Sequence, residues 1–85
     1  MKPVLFFSSL CPDTAPFKKV LEQLNVEYDE INITDSMRNL KQFLKLRDTQ
    51  SVFEAKKATD QVGIPCLVVN EMYLFTTEQL TDYYG

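Results

Sequence analysis

The sequence predicts an α/β protein built on a four-stranded mixed β-sheet flanked by helices on both faces. Three observations carry that prediction. Val4-Leu5-Phe6-Phe7 and Cys66-Leu67-Val68-Val69 are uninterrupted apolar runs, the pattern of strands buried on both faces. Phe17, Val20, Leu21 and Leu24 recur at i, i+3, i+4, i+7 directly after the first run, which is one face of a helix. Asn70-Glu71 separates the last two apolar runs by the two residues of a tight hairpin.

The elements follow in order. The first strand is Val4–Phe7, bounded by serines. The helix behind it has two possible starts. Pro12 can be its first residue, or Asp13 can be the N-cap, with Pro16 in a first turn where its missing N–H costs nothing. Residues 26–33 (VEYDEINI) alternate apolar with polar, with one slip at Asp29-Glu30, and read as a second strand. Asp35 or Ser36 caps a helix carrying Met37, Leu40, Phe43, Leu44 and Arg47, broken at residues 48–50 (DTQ). Ser51-x-x-Glu54 has the spacing of a capping box before a short helix. Gly63-Ile64-Pro65 is a turn into the third strand, and Met72–Phe75 is the fourth. Thr76-x-x-Gln79 caps a last helix running to about Tyr84. The first two strands flank a helix and should be parallel by the right-handed crossover rule; the last two form an antiparallel hairpin.

Eighty-five residues without a linker or repeat predict one domain over residues 1–85. A net charge of −3 exerts no general pull on nucleic acid or an anionic membrane, and no stretch reaches the roughly 20 apolar residues that span a bilayer. Two cysteines cannot form a disulfide-dense secreted scaffold, and no secretory signal pattern opens the chain; a cytoplasmic protein is expected. The absence of histidine removes imidazole acid–base chemistry and histidine-containing metal sites, and no metal is expected.

The chemistry then rests on residues 8–14, SSLCPDT. A cysteine between a buried strand and a helix start sits near unpaired N–H groups and the positive end of the helix dipole, which favour a thiolate, the nucleophilic form. Thr14 is positioned to donate a hydroxyl hydrogen bond to it, whereas Asp13 opposes a second negative charge. Ile64-Pro65, in a tight turn before a buried strand, is a candidate cis peptide. The topology brings that turn beside the end of the first strand, so Cys11 and Pro65 should lie close together. Cys66 has two readings: a buried structural cysteine, or a resolving thiol if its Cα lies within about 7 Å of that of Cys11. Arg47 either complements its helix C-terminus or serves an anionic ligand.

A first strand, then Cys11-Pro12-x-x, a βα unit, Gly63-Ile64-Pro65, a hairpin and a closing helix together resemble the glutaredoxins, proteins of thioredoxin-like fold. The segments FLKLRDT (43–49) and GIPCLV (63–68) resemble a group of bacterial glutaredoxin-related proteins. The resemblance implies a glutathione-dependent thiol–disulfide oxidoreductase, monomeric, with glutathione as co-substrate and protein disulfides as partners. It implies that Cys11 is the nucleophile in a motif completed by Pro12 and Thr14, that Pro65 is the cis-proline, and that the Ile64 backbone pairs with the cysteinyl part of glutathione. Arg47 or Arg38 would attract its glycine carboxylate, and the helix start near Thr77 its γ-glutamyl end. The chain departs from the family pattern in having Thr14 where a second cysteine can stand, no lysine shortly before Cys11, Gly63-Ile64 before the proline, and Phe75-Thr76-Thr77-Glu78 after the fourth strand. Two alternatives stay open: a module binding glutathione or a [2Fe–2S] cluster, against which Pro12 and Asp13 argue, and a catalytically weak interaction domain.

Overall fold

The computed structural model describes residues 2–85, in the order β1 (Val4–Phe7), α1 (Thr14–Gln23), β2 (Asp29–Asn32), α2 (Met37–Thr49), a 3₁₀ turn (Ser51–Phe53), α3 (Glu54–Ala58), β3 (Cys66–Val69), β4 (Met72–Leu74) and α4 (Thr77–Tyr84). The sheet order is β2-β1-β3-β4. β1 runs parallel to β2, Val4 opposite Asp29 and Phe7 opposite Asn32. It runs antiparallel to β3, Phe6 opposite Cys66, and β3 pairs antiparallel with β4.

β1 is central because it is apolar on both sides. Successive strand side chains point to opposite faces. Leu5 and Phe7 join one buried cluster with Phe17 and Leu21 of α1, Leu67, and Leu80 of α4. Phe6 joins the other with Ile33, Phe43 of α2, Phe53 and Cys66. α1 and α4 therefore cover one face of the sheet, and α2 with the Phe53 turn covers the other. Among the described residues, no helix is long and apolar enough to cross a membrane.

Four local expectations need correction. β2 begins only at Asp29, because Val26 belongs to the end of α1. Asn25 adopts the left-handed conformation at φ 57°; its N–H donates to the Glu22 carbonyl and that of Val26 to the Leu21 carbonyl. This is a Schellman ending, with Asn25 where glycine is usual. In α2, Met37 is 66% exposed, its turn having no core beneath it, and Leu46 rather than Leu44 packs against the second cluster. Asp48 and Thr49 remain helical, the Thr49 hydroxyl donating to the Lys45 carbonyl at 2.8 Å; extended backbone begins at Gln50. Ser51 and Glu54 form no capping box, since Ser51 lies inside the 3₁₀ turn that drives Phe53 into the core. Glu54 instead pairs with Lys57 at 3.3 Å.

The hairpin and the last helix form as expected. Asn70 and Glu71 both have positive φ, 48° and 66°, as a type I′ turn requires. Thr76 caps α4 through a complete capping box with Gln79.

Candidate functional site

β1 ends at Phe7, and the next residue organises the loop that follows. The buried Ser8 carbonyl accepts the Cys11 N–H at 3.0 Å and the Thr14 hydroxyl at 2.9 Å. The Ser8 hydroxyl accepts the Leu10 N–H at 3.1 Å and bonds the Thr34 hydroxyl at 2.9 Å. Residues 8–14 are thereby tied to the end of the strand, and Cys11 is held half-buried.

This tether corrects the role expected of Thr14. Its single hydroxyl proton goes to the Ser8 carbonyl, so it fixes the loop and does not donate to the thiol. It also settles where α1 starts. Asp13 is the N-cap position, without a side-chain cap bond, and Pro16 is the third helical residue. The Thr14 N–H donates to the Cys11 carbonyl, and Pro16 has no N–H to offer. Fewer free N–H groups face Cys11 than a strand–Cys–helix sequence suggests, while Pro12 and Asp13 are exposed.

Cys11 opens onto a cleft of about 930 Å³ at one end of the sheet, lined among others by Leu10, Asp13, Lys56, Val62, Ile64, Pro65, Phe75, Thr77 and Glu78. Cys11 and Pro65 thus share one cavity, although 54 positions separate them in the chain. The Ile64–Pro65 peptide bond is cis. Ile64 uses neither its N–H nor its C=O in any turn or loop hydrogen bond among the described residues. Gly63, at φ +99°, lies against the Phe53 ring. At the other wall, Thr77 and Glu78 open α4; the capping box leaves their N–H groups without a backbone partner among the described residues.

Three expected contributors are not in this cleft. Cys66 is fully buried in the second cluster, opposite Phe6. Burial pushes its thiol up to about 12, with Lys56 acting in the opposite sense. A protonated, enclosed thiol cannot resolve a disulfide at Cys11, and both cysteines are free. Arg47 instead donates from Nη2 to the Gln61 carbonyl at 2.6 Å, with Nε buried and unpartnered, so it anchors the segment leading to β3. Arg38 is exposed and outside the cleft lining. Lys18 is also engaged elsewhere, 3.1 Å from Glu30 and 3.8 Å from the Phe7 ring centre.

The cation that does line the cleft is Lys56, which the sequence pattern alone does not distinguish from Lys57. Its Nζ lies 3.4 Å from the Gln61 amide oxygen and 4.9 Å from the Phe75 ring centre. The aromatic set Phe43, Phe53, Tyr73 and Phe75, with Phe53 at its centre, carries α3 and hence Lys56 to this position.

Comparison with known proteins agrees with this architecture. The Glutaredoxin family model matches residues 4–74. An uncharacterized protein of Haemophilus influenzae is 50% identical over 68 residues, covering 80% of this chain and 79% of that protein. The crystal structure of a glutaredoxin from Archaeoglobus fulgidus superposes with a TM-score of 0.67 over 95% of this chain and 83% of its own, at 15% identity. Wheat glutaredoxin gives a TM-score of 0.60 at 17% identity, covering 96% of this chain and 69% of its own. The two structures establish the shared thioredoxin-like fold.

Proposed function

Starting from a chain that belongs to the glutaredoxin family, we propose that it reduces glutathione mixed disulfides through Cys11 alone. The observation that carries this reading is that Cys11 is the one cysteine lining the cleft, which it shares with Pro65 and the unengaged Ile64 backbone. The Cys11 thiolate attacks the glutathionyl sulfur of a protein–glutathione disulfide. A bond forms between Cys11 and glutathione, the old S–S bond breaks, and the protein sulfur leaves with the electron pair and takes a proton. A second glutathione thiolate then attacks the same glutathionyl sulfur, releasing oxidised glutathione and free Cys11. Cys66 takes no part, because its thiol is protonated and enclosed.

Three features support glutathione as the thiol. The Ile64 N–H and C=O are available to an extended cysteinyl backbone. Lys56 offers a cation to a carboxylate, in place of Arg47. The N–H groups of Thr77 and Glu78 offer hydrogen bonds to a carboxylate, although the Glu78 side chain leaves that wall net negative.

The test is turnover of a glutathionylated peptide with glutathione and a reductase that recycles oxidised glutathione. Cys11→Ser should lose activity by at least about 100-fold, while Cys66→Ala, assayed well below its unfolding temperature, should keep most of it. Wild-type turnover no faster than that of an equal concentration of free thiol would remove the enzyme reading.

A further inference from the structure

We infer that the cleft selects disulfide-bearing polypeptide segments of bipolar charge, with a basic residue on the α1/α4 side of the reacting cysteine and an acidic residue on the α3 side. This rests on the reading of Cys11 as the reactive thiol and adds a second substrate class, which would occupy the cleft in place of glutathione.

The two walls of the cleft carry opposite charge. Asp13 precedes α1 and Glu78 is the second residue of α4; both helices cover the Leu5/Phe7 face of the sheet. Lys56 comes from α3 beside Phe75, a residue packed on the Phe6/Cys66 cluster of the opposite face. Neither acid has an ion-pair partner among the described residues, and the nearest lysine on α1, Lys18, is held by Glu30. The helix starts offset part of the acidic wall, but each contributes only about half a positive charge against a full carboxylate. The wall formed by the starts of α1 and α4 is therefore net negative.

Size and surface point to a polypeptide as the occupant. The cleft of about 930 Å³ is open, and Leu10 and Val62, 81% and 49% exposed, line it with apolar surface. Unengaged backbone groups at Ile64 suit an extended chain laid alongside them, the mode by which sheets bind peptide strands. Because Asp13 and Glu78 are exposed, their effect on such a chain is modest and screened by salt.

The test uses capped pentapeptides joined through cysteine to 2-thiopyridine. Two have cores Lys-Cys-Glu and Glu-Cys-Lys; a third has Gly-Cys-Gly. Cys11 thiolate attacks the peptide sulfur, a Cys11–peptide disulfide forms, and pyridine-2-thiolate leaves with the electron pair and is protonated to the absorbing thione. Rates are divided by those of free glutathione with the same peptide, which removes intrinsic reactivity. At low ionic strength one bipolar orientation should outrun its reverse by roughly threefold to tenfold and exceed the glycine peptide. The difference should shrink at about 1 M salt and in the Asp13→Asn/Glu78→Gln double variant. Equal rates for the two orientations, with Cys11 still faster than free glutathione, would overturn the charge selection and leave the enzyme reading intact. Rates no faster than free glutathione with every peptide would overturn the polypeptide substrate class, and turnover of the glutathionylated peptide then decides the enzyme reading separately.

Discussion

At Gly63 a single methyl group separates a fitting residue from a misfit. A Cβ there would stand 3.0 Å from Cδ1 and 3.1 Å from Cε1 of Phe53, on a backbone at φ +99°. The departure from the family's usual residue pair before the proline thus has a local cause: the Phe53 ring occupies the space a side chain would need. Gly63→Ala should destabilise the protein by about 2–4 kcal/mol, combining left-handed strain with overpacking, as read from denaturant midpoints. A loss below about 0.5 kcal/mol would mean the turn relaxes freely. Cys11 and Pro65 were legible as a pair because strand order dictates which loops meet. Thr14, Arg47 and Lys56 were not, since the partner of a long or rotatable polar side chain depends on distances that spacing does not encode. Spacing alone allows the Thr14 hydroxyl to serve either the thiol or the backbone, and only the packed geometry selects the Ser8 carbonyl.

Among the elements, α4 was readable to its first residue. Thr76 accepts the Gln79 N–H at 3.1 Å, and the Gln79 side chain returns to the N–H groups of Phe75 at 2.7 Å and Thr76 at 3.3 Å. All partners lie within four residues, so local sequence suffices to specify them. Thr76→Ala should cost about 1 kcal/mol and lower the melting temperature by roughly 4–8 °C, measured by circular dichroism. An unchanged melting temperature would show that water replaces the cap without loss. Ser51-x-x-Glu54 has the same spacing and forms no such box, because burial of Phe53 outweighs the roughly 1 kcal/mol a cap contributes. The start of the second strand was misread for a related reason. Alternation continued back to Val26, yet the Asn25 turn commits that residue to closing α1.

For the whole molecule, the sheet divides the core into two clusters, and the buried groups set its response to pH. Cys66 is held neutral by desolvation, up to about 12 in the fold against an ordinary 9.0. Above pH 9 the unfolded chain has lost the thiol proton while the folded chain keeps it, so stability falls as pH rises from there toward 12. Burial also raises Tyr28, Tyr73 and Tyr84, which adds to the same loss above pH 10. Chemical denaturation between pH 8 and 10 should show wild-type stability declining by roughly 1 kcal/mol, and Cys66→Ala should flatten that decline despite its lower starting stability. An equal slope in both proteins would rule out Cys66 as its source.

The sequence by itself determined the strand order in the chain, the parallel pairing of the first two strands, the antiparallel hairpin, the final cap and the meeting of Cys11 with Pro65. Each of these follows from periodicity, local hydrogen bonding or the handedness of chain crossovers, which act over short stretches or depend only on element order. The tertiary structure alone decided which thiol opens onto the cleft and which charges surround it. Cys11 and Cys66 are the same residue type, each beside a proline. One stands at the open end of β1; the other is enclosed with Phe43 and Phe53 on one covered face of the sheet, where desolvation keeps it protonated. Lys56 reaches the cleft, and Arg47 does not, because an aromatic cluster drawn from α2, the Phe53 turn and β4 sets where α3 lies.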